Sequence, residues 1–317
     1  MATSGSIDFN QTRNQIVNDA LALIGVYGVG RTISSDDMNF CTNMLNKMVK
    51  AWQAQGIHLW GLSEGYLFVA DNTASYTLSS DSSSARATTR TDAVITQLNG
   101  AHAAAATSLT VDSTTGMSAS DIIGIVNDDD VVTWTTISNV GSSTTLTIAA
   151  GLTGACADNN NVYTFTARIN KPLRIQSMRR VTGVGTSTTT ATSIPLTSLS
   201  QDEYFNLTNK FLNGTPTSYY YQPGLTTGTL YLWPRPDDPA IYFELSFERM
   251  LEDFDASTNN PDFPSEWLET ITYQLAYRIA PAFGKDKNMV EPEASAMLAN
   301  MISWDQEITS ITLSPDK

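Results

Sequence analysis

The stretch Phe263–Gly284, FPSEWLETITYQLAYRIAPAFG, decides how this chain is read. Pro264 stands where a helix can begin, because the first turn has N–H groups to spare. Glu266 sets a carboxylate near the positive end of the helix. Trp267, Ile271, Leu275 and Ile279 then recur at i, i+4, i+8 and i+12, a single apolar stripe. Pro281 removes a backbone donor and Gly284 offers a left-handed exit. A second helical pattern follows. It starts near Asn288, with Pro292, Glu291 and Glu293 in the first turn and Met297, Leu298, Met301, Ile302, Trp304 and Ile308 at helical spacing. The spacing predicts that the chain ends in a helical hairpin.

The amino-terminal end repeats this design. Thr12 and Gln15 make a capping-box pattern, and Ile16, Val17, Ala20, Leu21 and Ile24 form the apolar face. Gly25 and Gly28 end the element. Ser34 and Asp37 start another, on which Met38, Cys41, Leu45, Met48, Val49 and Trp52 recur before Gly56. These two helices are expected to pair as an antiparallel hairpin.

Between the helical ends the period changes to two. Tyr66–Ala70 and Ser75–Ser79 read as short strands around an Asp71-Asn72 turn, followed by the polar junction DSSSARATTR. Five β-type runs then follow at regular spacing: Ser108–Val111, Ile122–Val126, Val131–Ile137, Thr144–Ile148 and Asn161–Phe165. They predict a small sandwich or barrel with a thin core and one tryptophan, Trp134, inserted as residues 86–165. The host sheet resumes at Leu173–Val181. Ser200 and Glu203 cap a short helix, and SYYYQPG, TLYLWP and AIYFELSFERM read as three more strands. In the last, Ile241, Phe243, Leu245 and Phe247 alternate with Tyr242, Glu244, Ser246 and Glu248, the pattern of a half-buried antiparallel strand. The expected fold class is α+β. Amino- and carboxy-terminal helical hairpins surround a small antiparallel sheet in a core of residues 1–85 and 166–317, and residues 86–165 form an inserted all-β domain.

Charge narrows the function. The 317 residues carry a net charge of −14, which argues against a general phosphate-binding surface. Residues 166–210 alone are basic, with six cationic and two anionic side chains, whereas residues 211–317 have six and sixteen. Arg168, Lys171, Arg174, Arg179 and Arg180 belong to this basic strand, with Arg174 and Arg180 placed opposite Ile175. They fit contact with a partner or a solvated strand equally well, and lack the aromatic interleaving of a base-reading site.

Catalytic patterns are sparse. His58 and His102 lack metal-ligand spacing, and no HExxH, GxSxG or P-loop occurs. The glycine-rich GVYGVGR of residues 25–31 follows a helix instead of a strand, so it cannot cradle a phosphate in that way. Asp128–Asp130 fits a hairpin turn better than a calcium loop. Glu252, Asp253 and Asp255 are the carboxylates a glycosidic hydrolase would use, though no apolar pocket is visible beside them. Tyr219–Tyr221 reads first as sheet packing, with a sugar-stacking platform as the minor alternative. Cys41 and Cys156 give no disulfide framework, and no apolar run approaches membrane-spanning length. No cofactor, metal or catalytic residue is expected.

The order of these pieces resembles the head-to-tail adaptor proteins of tailed bacteriophages, especially the packaged-DNA stabilisation or tail accessory factors of short-tailed phages. ALALIGVYGVG with MLNKMVKAWQAQGIHLWGL, YLFVADNTASYTL, YYYQPG…TLYLWPRPDD and above all FPSEWLETITYQLAYRIAPAFG carry the likeness, over residues 8–85 and 166–310. The resemblance implies a non-enzymatic virion protein at the head–tail junction, made in the host cytoplasm and without membrane contact. Identical subunits, commonly twelve, would form a ring under the portal protein. That ring would extend the channel through which packaged DNA passes without sequence-specific binding, help retain the genome, and hold the next tail or nozzle protein. The resemblance places the carboxy-terminal tail at the portal, with Asp305, Ile308, Ile311 and Leu313 as contacts. Trp267, Ile271, Leu275 and Ile279 would be the seam of the ring-building hairpin. The competing readings are a carboxylate-based peptidoglycan hydrolase acting through Glu252 or Asp255, and a surface or carbohydrate-binding module in the insert.

Overall fold

A computed structural model describes residues 5–28, 30–56, 59–182 and 192–305. It resolves into two compact units, residues 1–61 with 251–317 and residues 62–250. The first is helical and the second is built mainly of strands, so this is a mixed α+β chain, with five α-helices among the described residues. His58 lies outside the described residues, as do Ile308, Ile311 and Leu313.

The helical unit contains α1 (Arg13–Leu23), α2 (Ser35–Gln55), α4 (Leu268–Ile279) and α5 (Glu291–Trp304); α3 (Gln201–Phe205) belongs to the strand unit. The local signals act where they were written. Thr12 and Gln15 exchange both capping-box bonds, and the Ser34 side chain accepts from the Asp37 N–H. Gly56 leaves α2 in the left-handed region at φ 74°, where a glycine has no Cβ to clash. The Phe263–Gly284 stretch is more finely divided than one helix. Pro264 precedes a 3₁₀ turn, Ser265–Trp267, then α4, and a second 3₁₀ turn, Ala280–Phe283, ends at Gly284 with φ 66°. Helix ends often tighten in this way because their terminal groups lack i−4 partners.

Helix α4 is the hub. It contacts α1, α2 and α5, and α1 leans more on α4 than on α2, so the amino-terminal pair is not a self-sufficient hairpin. Trp267, Ile271, Leu275 and Ile279 have no solvent exposure. They pack in one cluster with Ile16, Val17, Ala20 and Leu21 of α1 and with Cys41, Leu45, Met48 and Trp52 of α2. The Trp267 ring centroid lies 5.7 Å from Trp52 and 5.1 Å from Trp60. Buried Gln274 donates to the Ala294 carbonyl at 2.8 Å and so ties α4 to α5.

The strand unit runs β1 (Leu62–Phe68), β2 (Ser75–Leu78), β3 (Ala87–Thr89), β4 (Val94–Gln97), β5 (Ser108–Thr110), β6 (Ile122–Val126), β7 (Val132–Val140), β8 (Thr145–Ile148) and β9 (Asn161–Phe165). It continues with β10 (Arg174–Thr182), β11 (Thr192–Pro195), β12 (Thr197–Ser198), β13 (Ser218–Pro223), β14 (Gly228–Trp233) and β15 (Tyr242–Glu248). These make three sheets, ordered β11-β10-β15-β1-β3, β12-β13-β14-β2 and β4-β9-β6-β7-β8-β5. All pairs are antiparallel except β12 with β13. Strands β1 and β2 part into different sheets, so the expected single small sheet is two. The reason is apolar area. Leu67, Phe243, Leu245 and Phe247 on one sheet and Leu78, Tyr219, Leu230 and Leu232 on the other bury each other in one core.

The six-stranded sheet takes all five expected runs and adds β4, whose four residues are too short to show a period. Asn99 donates to the Thr110 carbonyl at 2.9 Å and Asp112 to that of Gln97 at 3.0 Å, so its edge strands meet and the sheet closes. Closure removes the exposed edges that invite aggregation. Its interior holds Leu98, Leu109, Val111, Ile123, Ile125, Ile137, Leu146 and Val162.

Strand β15 alternates as expected: Phe243, Leu245 and Phe247 are buried, and Tyr242, Glu244 and Ser246 between them are half-buried. Tyr242 packs against a second cluster of Phe68, Tyr163 and Phe165, and Glu248 at the strand's end is only 8% exposed. The Phe68 and Tyr163 rings stack at 4.4 Å, and the Tyr163 hydroxyl donates to Pro239 and Ala240 carbonyls at 3.0 and 3.1 Å.

Two measurements follow from these cores. Replacing Leu275 by Ala should lower unfolding free energy by about 2–5 kcal/mol, read from urea denaturation of the helical unit's signal. Burial, followed by the charge of Asp37, raises the Cys41 thiol to about 12, and burial with Asp128 and Asp129 raises Cys156 to about 11. Native protein at pH 8 should therefore leave both thiols unreacted with a disulfide reagent, whereas unfolded chain should titrate both.

Candidate functional site

The basic strand is built into the fold. Arg168 donates to the Ala85 and Ser83 carbonyls at 3.0 and 3.1 Å, and Lys171 to those of Gly224 and Leu225 at 2.9 and 3.1 Å. Arg174 pairs with Glu248 at 3.1 Å. Arg179 binds the Ser193 hydroxyl and carbonyl at 2.7 and 3.0 Å, and Arg180 reaches the Pro216 carbonyl at 3.4 Å.

Arg174 and Arg180 do not share a face. The register between β10 and β15 shifts between Ile175 and Ser177, leaving Gln176 as the extra residue. A bulge reverses the alternation beyond it. Arg174 therefore stands opposite Glu248, and Arg180 opposite the buried Phe243. Gln176 turns its amide to Glu248 at 2.6 Å, which helps hold that buried carboxylate.

The carboxylates considered for hydrolysis are spent on structure or solvent. Asp253 pairs with Lys50 at 2.8 Å, the Glu252 N–H donates to Asp262 at 3.2 Å, and the cleft beside Asp253 and Asp255 is lined by the polar Asn46, Lys47 and Lys50. Asp128 accepts from the Ala157 N–H and the Asn160 amide at 2.7 and 2.8 Å, which makes it a loop anchor. Among the described residues no group of three His, Cys, Asp or Glu side chains could hold a metal ion. His102 accepts from the Thr110 N–H at 3.2 Å. Tyr219 and Tyr221 pack toward the shared sheet core, while Tyr220 stacks on Tyr231 and Tyr204 at 5.7 and 5.4 Å.

What remains is surface for other proteins. Helix α5 buries only Ala294, although Met297, Leu298, Met301, Ile302 and Trp304 all lie along it; Trp304 is 56% exposed. Beside α1 and α4 a cleft of about 700 Å³ is floored by Phe9, Leu23, Leu268 and Tyr273 and rimmed by Asp19, Glu266 and Glu269. Phe205, Phe211 and Leu225 are also exposed. Of the α5 side chains, Leu298 and Met301 pack partly against the helical core while Ile302 and Trp304 stay exposed, and exposed apolar side chains that group together mark contact surfaces.

The comparison with known families agrees. Residues 16–312 match the SU10 adaptor protein family. The chain belongs to that family. SU10 adaptors are structural phage proteins, not enzymes, which sets aside the peptidoglycan hydrolase reading, and they act at the head–tail junction of the virion in association with portal and tail proteins. A comparison with the curated proteins returns no match. Among the described residues of this SU10 adaptor, no helix is long and apolar enough to cross a membrane. The match runs through residues 86–165 as well, a region that carried none of the sequence likeness. The adaptor's incompletely buried α5 face was legible as an apolar pattern, but the sequence could not tell a core stripe from a partly open one.

In the basic strand, Arg174→Gln should cost about 1–3 kcal/mol, because it takes the cation from a buried carboxylate. Arg179→Gln, whose partners are neutral, should stay within about 0.5 kcal/mol. Urea unfolding of the two variants checks the difference.

Proposed function

We propose that this chain is the subunit of a head-to-tail connector ring, commonly of twelve copies, that docks under the portal, extends the DNA channel and offers the platform for the next tail component. The observation that carries this reading is membership of the SU10 adaptor family across residues 16–312. The incompletely buried apolar face of α5 supports it, because a subunit stabilised by assembly leaves such faces for its neighbours. In this reading residues 263–309 frame the ring, the residues from Asp305 onward, including Ile308, Ile311 and Leu313, contact the portal, and residues 86–165 are an inserted all-β domain. The net charge of −14 fits a channel that lets DNA slide instead of holding it.

Cosedimentation with purified portal particles tests the reading. Protein should pellet with the particles at micromolar concentration, and deletion of residues 305–317 should abolish pelleting while leaving the circular dichroism and the thermal midpoint in place. No pelleting of the full chain counts against a portal-docking adaptor.

A further inference from the structure

Two cations of the strand unit converge without an anion between them. The Ser83 carbonyl accepts from Arg86 Nη1 at 2.8 Å and from Arg168 Nη2 at 3.1 Å, and the Ala85 carbonyl accepts from Arg86 Nη1 and Arg168 Nε, both at 3.0 Å. Two carbonyls thus hold two guanidinium groups side by side. Neither arginine is in an ion pair among the described residues. Each guanidinium has five N–H donors, and these bonds occupy one nitrogen of Arg86 and two of Arg168. Both arginines line a cavity of about 220 Å³ together with Ser83, Trp134 and Thr136.

Trp134 fixes the geometry. The Arg86 guanidinium carbon stands 4.5 Å over its ring. The indole also lies against Gly124, its cross-strand partner, where an added Cβ would come 2.6 Å from ring atoms. The Arg86 guanidinium occupies the ring face it covers, so a nucleobase cannot stack there. Burial, then the charge of Arg168, brings Arg86 down to about 10; it is still a cation at neutral pH, and an anion in the cavity would relieve both effects.

A small site with two forked donors suits one carboxylate, which a guanidinium can bind through two parallel bonds. A polyanion fits poorly, since a cavity of this size takes one small group and not an extended chain of charges. The chain's acidic surplus names the source: residues 211–317 hold sixteen acidic side chains against six basic ones, so a second copy brings the complementary charge.

We propose that Arg86 and Arg168 form a carboxylate-binding site that receives an Asp or Glu side chain of a second copy of this chain. The inference rests on the ring reading above, of which it would be one subunit contact. Two readouts on the full chain test it. In the first, the Trp134 indole N–H resonance, assigned with Trp134→Phe, is followed during titration with sodium acetate and separately with inorganic phosphate. Acetate should shift it saturably, and Arg86→Gln and Arg168→Gln should each weaken that response about tenfold. No saturable shift, a response in both variants as strong as the wild type's, or a response to phosphate alone overturns the proposal. In the second, subunit association on portal particles is measured by sedimentation. Arg168→Gln, confirmed folded by its thermal midpoint, should need about tenfold more protein to assemble, and Arg168→Lys, which keeps charge but loses the fork, should fall between. Assembly of wild type and Arg168→Gln at equal concentration overturns this contact and leaves the ring standing. Wild-type protein that binds no second copy under any condition overturns both.

Discussion

Burial of one helix face governs the helical unit. Helix α4 arrives some two hundred residues after α1 and α2, yet its Trp267–Ile279 stripe is what their apolar faces close upon. At roughly 25 cal/mol per Å² of apolar surface, a few large side chains outweigh the entropy of closing so long a loop, which grows only logarithmically with length. The chain between can therefore be large, provided its ends emerge together. Strand β1 meets this condition directly, since Leu62 at its start pairs with Glu248 at the end of β15.

In the strand unit the corresponding role falls to β15, which is central to its sheet, buried on one face and partly covered on the other. One face closes the sandwich through Phe243, Leu245 and Phe247. The other carries Tyr242 into the aromatic cluster with Phe68, Tyr163 and Phe165. A buried carboxylate on that strand is tolerated because Glu248 receives Arg174 and Gln176. The bulge at Gln176 makes this possible, presenting Gln176 and Arg174 to one acid while Arg180 turns to the other side.

For function, the division between committed and open surface matters more than any catalytic geometry. The cations and carboxylates that drew attention in the sequence mostly bind neighbouring backbone or each other. The α5 face is left only partly covered and the apolar cleft beside α1 and α4 stays open, as suits an SU10 adaptor that works among portal and tail proteins.

The sequence by itself determined the local grammar: the capping boxes at Thr12 and Ser200, the left-handed exits at Gly56 and Gly284, the α4 stripe and nearly every strand. These depend on residues within a few positions, and their physics is complete at that range. It also carried the family likeness through its hydrophobic frame. Only the tertiary structure decided that β1 and β2 join different sheets, that β4 completes a closed one, and that Tyr242 of β15 packs against an aromatic cluster. It alone placed Arg86, in an unremarkable polar junction, beside Arg168 and over Trp134. Such outcomes turn on which surfaces meet across long sequence separations, and on a single bulge that reverses alternation. No periodicity records either.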